Sequence, residues 1–174
     1  MIEGADVADG WAWAIAALDG LSSTDVAVAL AALALIRACH RLGMWAYALI
    51  ALPGTLAHEL AHYLMALLLF AKPSFPSLVP ERTAHGWRMG SVTFRAGIFR
   101  AVPIALAPLL LVPLALTWAA GLMAPATGPV YFVHAWVVGG LISACLPSSA
   151  DFRIAVPALL VVGVVVGLAW FLLR

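Results

Sequence analysis

The sequence predicts an all-α polytopic membrane protein of about five helices, with one short β-hairpin near residues 75–95 at the membrane surface. Two observations carry this. Of 174 residues, 65% are hydrophobic and 10% charged, with a mean hydropathy of +1.07, whereas soluble domains sit near ~45–50% apolar and ~25% charged. The charges are also bunched: five of the eight acids (Glu3, Asp6, Asp9, Asp19 and Asp25) precede residue 26, and only Glu59, Glu81 and Asp151 follow. A net charge of +1 with no basic face gives no footprint for nucleic acid. Cys39 and Cys145 lack a CxxC neighbour, which argues against a disulfide scaffold or thiolate metal site.

The elements follow in order. Residues 1–25 form an acidic N-terminal segment without Lys or Arg, read as retained because it lacks the basic start of a signal peptide. Within it, residues 11–18 are apolar but short, and suit an interfacial position with Trp11 and Trp13 at headgroup level. Ser22, Ser23, Thr24 and Asp25 form a cap-rich start for a helix that runs to Arg37. Residues 26–174 are expected to form a single membrane-embedded domain. Residues 42–71 carry one charged side chain, Glu59, and are long enough to span, with Pro53-Gly54 predicting a kink or a fresh helix start at Thr55.

Residues 72–100 are polar and hold Lys72, Arg82, Arg88, Arg95 and Arg100, five of the nine basic residues. The alternation in Gly90–Arg95, with Phe75–Val79 as partner, predicts the hairpin. The basic excess places this loop on the cytoplasmic side, and the expected setting is a prokaryotic cytoplasmic membrane. Arg37 and Arg41 then fall on the opposite side, against the same rule. Residues 101–150 contain no Asp, Glu, Lys or Arg and accommodate two spans, divided by Gly121–Pro129. The second covers 130–146. A last uncharged helix occupies 154–173. In it Gly163 and Gly167 form a GxxxG pair, a face for packing within the bundle or against a second copy.

The chemistry concentrates in His58-Glu59-Leu60-Ala61-His62, an HExxH pattern. Positions i and i+4 of an α-helix share a face, so His58 and His62 point the same way and can ligate one Zn²⁺. Glu59, turned off that line, is placed as general base for metal-activated water. Ionisable groups inside a span are costly and are functional by default.

A catalytic zinc site needs a third protein ligand. Glu81 and His85 lie in the polar loop, where solvation accounts for them, and a packed, hydrogen-bonded role accounts for His134. Asp151 is the best choice, at the Pro147-Ser148-Ser149-Ala150 interruption between two apolar runs. Its alternative roles are an N-cap for the last helix or an ion pair with Arg153. Ser148 and Ser149 could orient Asp151, stabilise an oxyanion or simply make the turn.

An HExxH in a span, a hairpin after it and an Asp at a broken helix two spans later resemble the site-2 protease family of intramembrane zinc metalloproteases, over roughly residues 43–155. The resemblance implies zinc held by His58, His62 and Asp151, Glu59 as base, and a membrane protein or peptide as substrate. It also implies that the hairpin presents an edge, through Gly90, Ser91, Val92, Thr93 and Phe94, to an extended substrate. The chain looks like a minimal member without a PDZ domain. It departs from the Asn-Pro-Asp-Gly type of motif of larger members, since Asp151 is followed by Phe152 and its Pro lies four residues earlier. Two other readings stand beside the protease: a catalytically silent membrane subunit that binds metal or partners, and an ion-translocating protein. Glu59 beside the ligands argues against the first, and the lack of a clear inverted repeat against the second.

Overall fold

A computed structural model describes residues 9–83 and 86–174. The chain is mainly helical with one small antiparallel sheet, in the order α1 (Asp9–Asp19), α2 (Ser23–Cys39), α3 (Met44–Ile50), α4 (Leu52–Leu68), β1 (Glu81–Thr83), β2 (Gly86–Arg88), α5 (Ile98–Leu106), α6 (Leu111–Trp118), α7 (Gly128–Ala144) and α8 (Ser149–Leu172). Short 3₁₀ segments follow α2 and α5, and a π turn over Ala119–Met123 continues α6. Two helical runs are long and apolar enough to cross a bilayer, Ile98–Met123 and Ser149–Leu172. A third is added if the pair Ala12–Asp19 and Ser23–Leu42, bent by 96°, counts as one span. α8 is exposed along its whole length from Leu159 to Leu172. Apolar side chains bared over four turns suit a lipid environment.

The chain divides into two compact units. The first comprises residues up to Gly54 together with Leu110–Ser143. Its core gathers Ala29 of α2, Ala119 and Met123 of the π turn, and Ala135 and Val138 of α7. α7 approaches its neighbours closely because two glycines face them. A Cβ on Gly139 would stand 2.9 Å from the backbone nitrogen of Leu33, and one on Gly140 3.1 Å from that of Gly54. Loose ends are tied by side chains: Trp136 Nε1 donates to the Ile50 carbonyl at 2.7 Å, and Arg37 to that of Ser143 at 3.2 Å. α2 starts on a capping box, in which Ser22 Oγ accepts from the Asp25 amide and Asp25 Oδ2 accepts from the Ser22 amide at 2.9 Å.

The second unit comprises Thr55–Leu109 and Ala144–Arg174. α4 and α5 share a core of Ala66, Ala71 and Ile104, with Phe94 and Ala96 packed on it. α5 lies against α8. The buried positions of α8 are Asp151, Ala155 and Ala158, one stripe at i, i+4 and i+7. Small side chains there let the helices come close, which is how apolar helices associate where burial alone gives no drive.

Three elements differ from expectation. The break in the 42–71 run falls at Ala51, not at Thr55. Pro53 sits in the first turn of α4, where its missing N–H is no loss. α7 stops at Ala144, two residues early. The ladder of the hairpin is Glu81–Thr83 with Gly86–Arg88, in register Glu81↔Arg88, rather than 75–79 with 90–95. Pro73, Pro76 and Pro80 remove main-chain donors from the first leg. What survives below the ladder is a single bridge between Ser77 and Ser91, and bonds from Ser74 to Thr93 and from Arg95 to Ala71. The cross-strand pair Glu81–Arg88 closes an exposed ion pair at the open end of the ladder. A Cβ on Gly163 or Gly167 would meet nothing of the second unit within 4 Å outside its own helix, so packing inside the unit does not account for the glycines.

Candidate metal centre

His58, Glu59 and His62 lie on α4, and Asp151 lies in the first turn of α8. His58 Nε2 and His62 Nε2 are 3.1 Å apart. Asp151 Oδ2 is 3.7 Å from His58 Nε2, and Oδ1 is 3.4 Å from His62 Nε2. These three residues are the group able to hold a metal ion among the described residues. Four ligands set tetrahedrally at about 2.0–2.1 Å from an ion stand roughly 3.3 Å from one another. The three measured separations bracket that edge length, so the donors fit one ion of this size.

The hydrogen bonds behind the ligands fix their chemistry. His58 Nδ1 donates to the Ala144 carbonyl at 2.8 Å, and His62 Nδ1 to the Ile104 carbonyl at 2.7 Å. A carbonyl only accepts, so each Nδ1 carries a proton, and each Nε2 is turned toward the other and toward Asp151. Two ring nitrogens and a carboxylate this close call for positive charge among them, which a metal ion or a proton on Nε2 supplies. Both acceptor carbonyls lack the usual i+4 amide for a local reason. Ala144 ends α7, and the last carbonyls of a helix have no donor within it. Ile104 precedes Pro108 by four residues, so the usual i+4 amide is missing and only the Ala107 amide reaches it. The sequence reading missed these anchors; a proline four residues after an apolar helix position was the signal it offered.

Asp151 is oriented by its own turn. Ser148, not Asp151, is the N-cap of α8. Asp151 occupies the third helical position and completes a capping box, its Oδ2 accepting from the Ser148 amide at 2.7 Å while Ser148 Oγ accepts from the Asp151 amide at 3.3 Å. The alternative N-cap role thus falls to Ser148, and no ion pair with Arg153 forms among the described contacts of Asp151. Ser149 opens α8 exposed, and the bonds that fix Asp151 come from Ser148.

Glu59 is 7% exposed and stands outside the ligand triangle. Its carboxylate lies under Gly90, at the foot of the hairpin. The segment Gly90, Ser91, Val92, Thr93 and Phe94 therefore reaches the site through its first residue. In this leg Ser91 and Thr93 use their main-chain groups toward Ser77 and Ser74. By strand alternation, Gly90, Val92 and Phe94 direct theirs to the other side. Of the other candidates, Glu81 pairs with Arg88 in the hairpin, His85 lies outside the described residues, and His134 Nδ1 accepts from Trp118 Nε1 at 3.2 Å. Neither Cys39 nor Cys145 forms a disulfide. Comparison with protein-family models, curated proteins and solved structures finds no match to this chain.

Proposed function

We propose that this protein is an intramembrane zinc metalloprotease of the site-2 protease type, integral to a prokaryotic cytoplasmic membrane in several passes, with the 72–100 loop on the cytoplasmic side. The observation that carries the reading is the convergence of His58 Nε2, His62 Nε2 and Asp151 within 3.1–3.7 Å, with an acid beside them that ligates nothing. A divalent ion held by these residues supplies Lewis-acid activation of water and of a peptide carbonyl. Two imidazoles and one carboxylate are the donor set zinc prefers in hydrolytic sites.

Glu59 then takes the proton of the attacking water and returns it to the departing amine. Its burial keeps that exchange local. His58 and His62 would ligate through Nε2, because the Nδ1–H of each is committed to Ala144 and Ile104. Asp151 would bring the one negative charge to the ligand set, leaving a divalent ion held there a net positive charge. A segment of a membrane protein is the matching substrate. Helical backbone has no free amides, so the cleaved stretch must unwind, and the outward main-chain groups of Gly90, Val92 and Phe94 offer it replacement hydrogen bonds by strand addition.

The test compares wild type with Glu59→Gln, both purified in detergent. Metal content and cleavage of single-span model peptides, each with a fluorophore and quencher flanking the span, are measured. The expected outcome is one zinc per chain in both and cleavage in wild type alone. Wild type without stoichiometric metal overturns the reading; metal in both with cleavage in neither assigns the protein to metal binding without turnover.

A further inference from the structure

Gly90 is the point at which the hairpin touches the reacting part of the site. A Cβ built there would stand 2.6 Å from Glu59 Oε1, 2.8 Å from Cγ and 2.9 Å from Cδ. No real side chain tolerates such distances, so a substituent at position 90 and the present position of Glu59 exclude each other. The backbone of Gly90 does not explain the glycine: the positive-φ glycines are Gly43 and Gly128. Alanine is therefore allowed there by conformation, and the three nearest atoms its Cβ would meet all belong to Glu59. Glu59 is a side chain with three rotatable bonds, by which its carboxylate can turn away from a substituent at position 90.

We infer that Gly90 is a positioning residue for Glu59: the bare backbone at the foot of the hairpin is the wall that holds the carboxylate in its place beside the ligand triangle. The inference rests on the catalytic reading of Glu59. Three features of the second unit support it. The hairpin leg is tied down on both sides of the contact, by the β1–β2 ladder ending at Arg88 and by the reciprocal Ser77–Ser91 bonds at 3.0 Å. The wall therefore cannot simply retreat. Glu59 has no hydrogen bond among those described that would hold its carboxylate otherwise. The same leg carries the outward main-chain groups of Val92 and Phe94, so whatever pairs with that edge arrives next to the base, and one backbone segment aligns both substrate and acid.

A displaced base slows the proton transfer and leaves both ligation and substrate pairing alone. A shift of about 1 Å in a catalytic group can cost ~10²-fold. Wild type, Gly90→Ala and Gly90→Val are compared in detergent for zinc content, kcat and KM on the same model peptides. The expected result is full zinc in all three, kcat lowered about tenfold in the alanine variant and further in the valine variant, and KM within about twofold. The contact itself is read independently of activity by oxidising the double variant Glu59→Cys, Gly90→Cys and mapping a 59–90 disulfide by mass spectrometry, since the two positions are close enough to bridge. Unchanged kcat in Gly90→Val, an effect confined to KM, a parallel loss of zinc, or absence of the cross-link overturns the inference. A wild type that binds zinc and cleaves no peptide removes the catalytic reading and this inference with it. An active wild type with an indifferent position 90 removes this inference alone.

Discussion

Two helices of this protein begin in the same way and use the result differently. α2 starts at Ser22-Ser23-Thr24-Asp25 and α8 at Ser148-Ser149-Ala150-Asp151; each serine is an N-cap, and each aspartate closes the box from the third helical position. In both, one carboxylate oxygen is occupied by the serine amide. The second oxygen is what differs. Asp25 Oδ1 accepts from Tyr131 Oη at 2.8 Å and so is spent on holding α7 to α2. Asp151 Oδ1 faces His62 Nε2 at 3.4 Å, inside the donor triangle that includes His58. A capping box fixes where a carboxylate points; what stands opposite its remaining lone pairs decides whether it is structural or ligating.

Substitutions that break the two boxes in parallel sharpen this contrast. Asp151→Ala removes a ligand and is expected to lower zinc affinity by more than about 100-fold, beyond the 10–100-fold typical of losing a supporting partner. Asp25→Ala leaves zinc content unchanged and lowers thermal stability, because Tyr131 loses its acceptor. Metal analysis of purified protein and thermal unfolding read the two outcomes. Chelation probes the same difference from the ligand's side. At zinc 100-fold above its Kd, the ion contributes about 2.7 kcal/mol, so a chelator lowers the melting temperature of wild type and of Asp25→Ala but leaves Asp151→Ala where it is.

Smaller effects follow from the caps themselves. Ser148→Ala and Ser22→Ala each remove a cap worth about 1 kcal/mol. Only the first disorients a ligand, and it is expected to weaken zinc binding roughly tenfold, measured by competition with a chromogenic chelator. Equal zinc affinity in the two serine variants would show that the box does not orient Asp151. Tyr131→Phe is the mildest change, costing about 1 kcal/mol through one lost hydrogen bond, with zinc affinity intact.

The parts of this design that the sequence made legible are those written in local spacing. His58 and His62 share a face because α4 has a 3.6-residue period, and an acid at a break between apolar runs led to Asp151 without any knowledge of its surroundings. Long apolar runs announced α8 and the Ile98–Met123 stretch. Features set by contacts between distant segments were not legible. The hairpin register followed the prolines of its first leg rather than the β-branched residues of its second. The helix break settled at Ala51 because a proline is harmless in a first turn. The carbonyls of Ala144 and Ile104 became histidine partners because a helix end and Pro108 left them without their i+4 amides. Nothing in the spacing between Glu59 and Gly90 links them, although each is an unusual residue for its place: an acid in an apolar helix, and a glycine that needs no special backbone.

Zinc occupancy of wild type, Glu59→Gln and Asp151→Ala, measured side by side on protein purified in detergent, tests the central claim most directly. One ion per chain in wild type and Glu59→Gln, with none retained by Asp151→Ala, is the result expected of a His58–His62–Asp151 centre with Glu59 outside it. A wild type without the ion, or an Asp151→Ala variant that keeps it at full occupancy, contradicts that account.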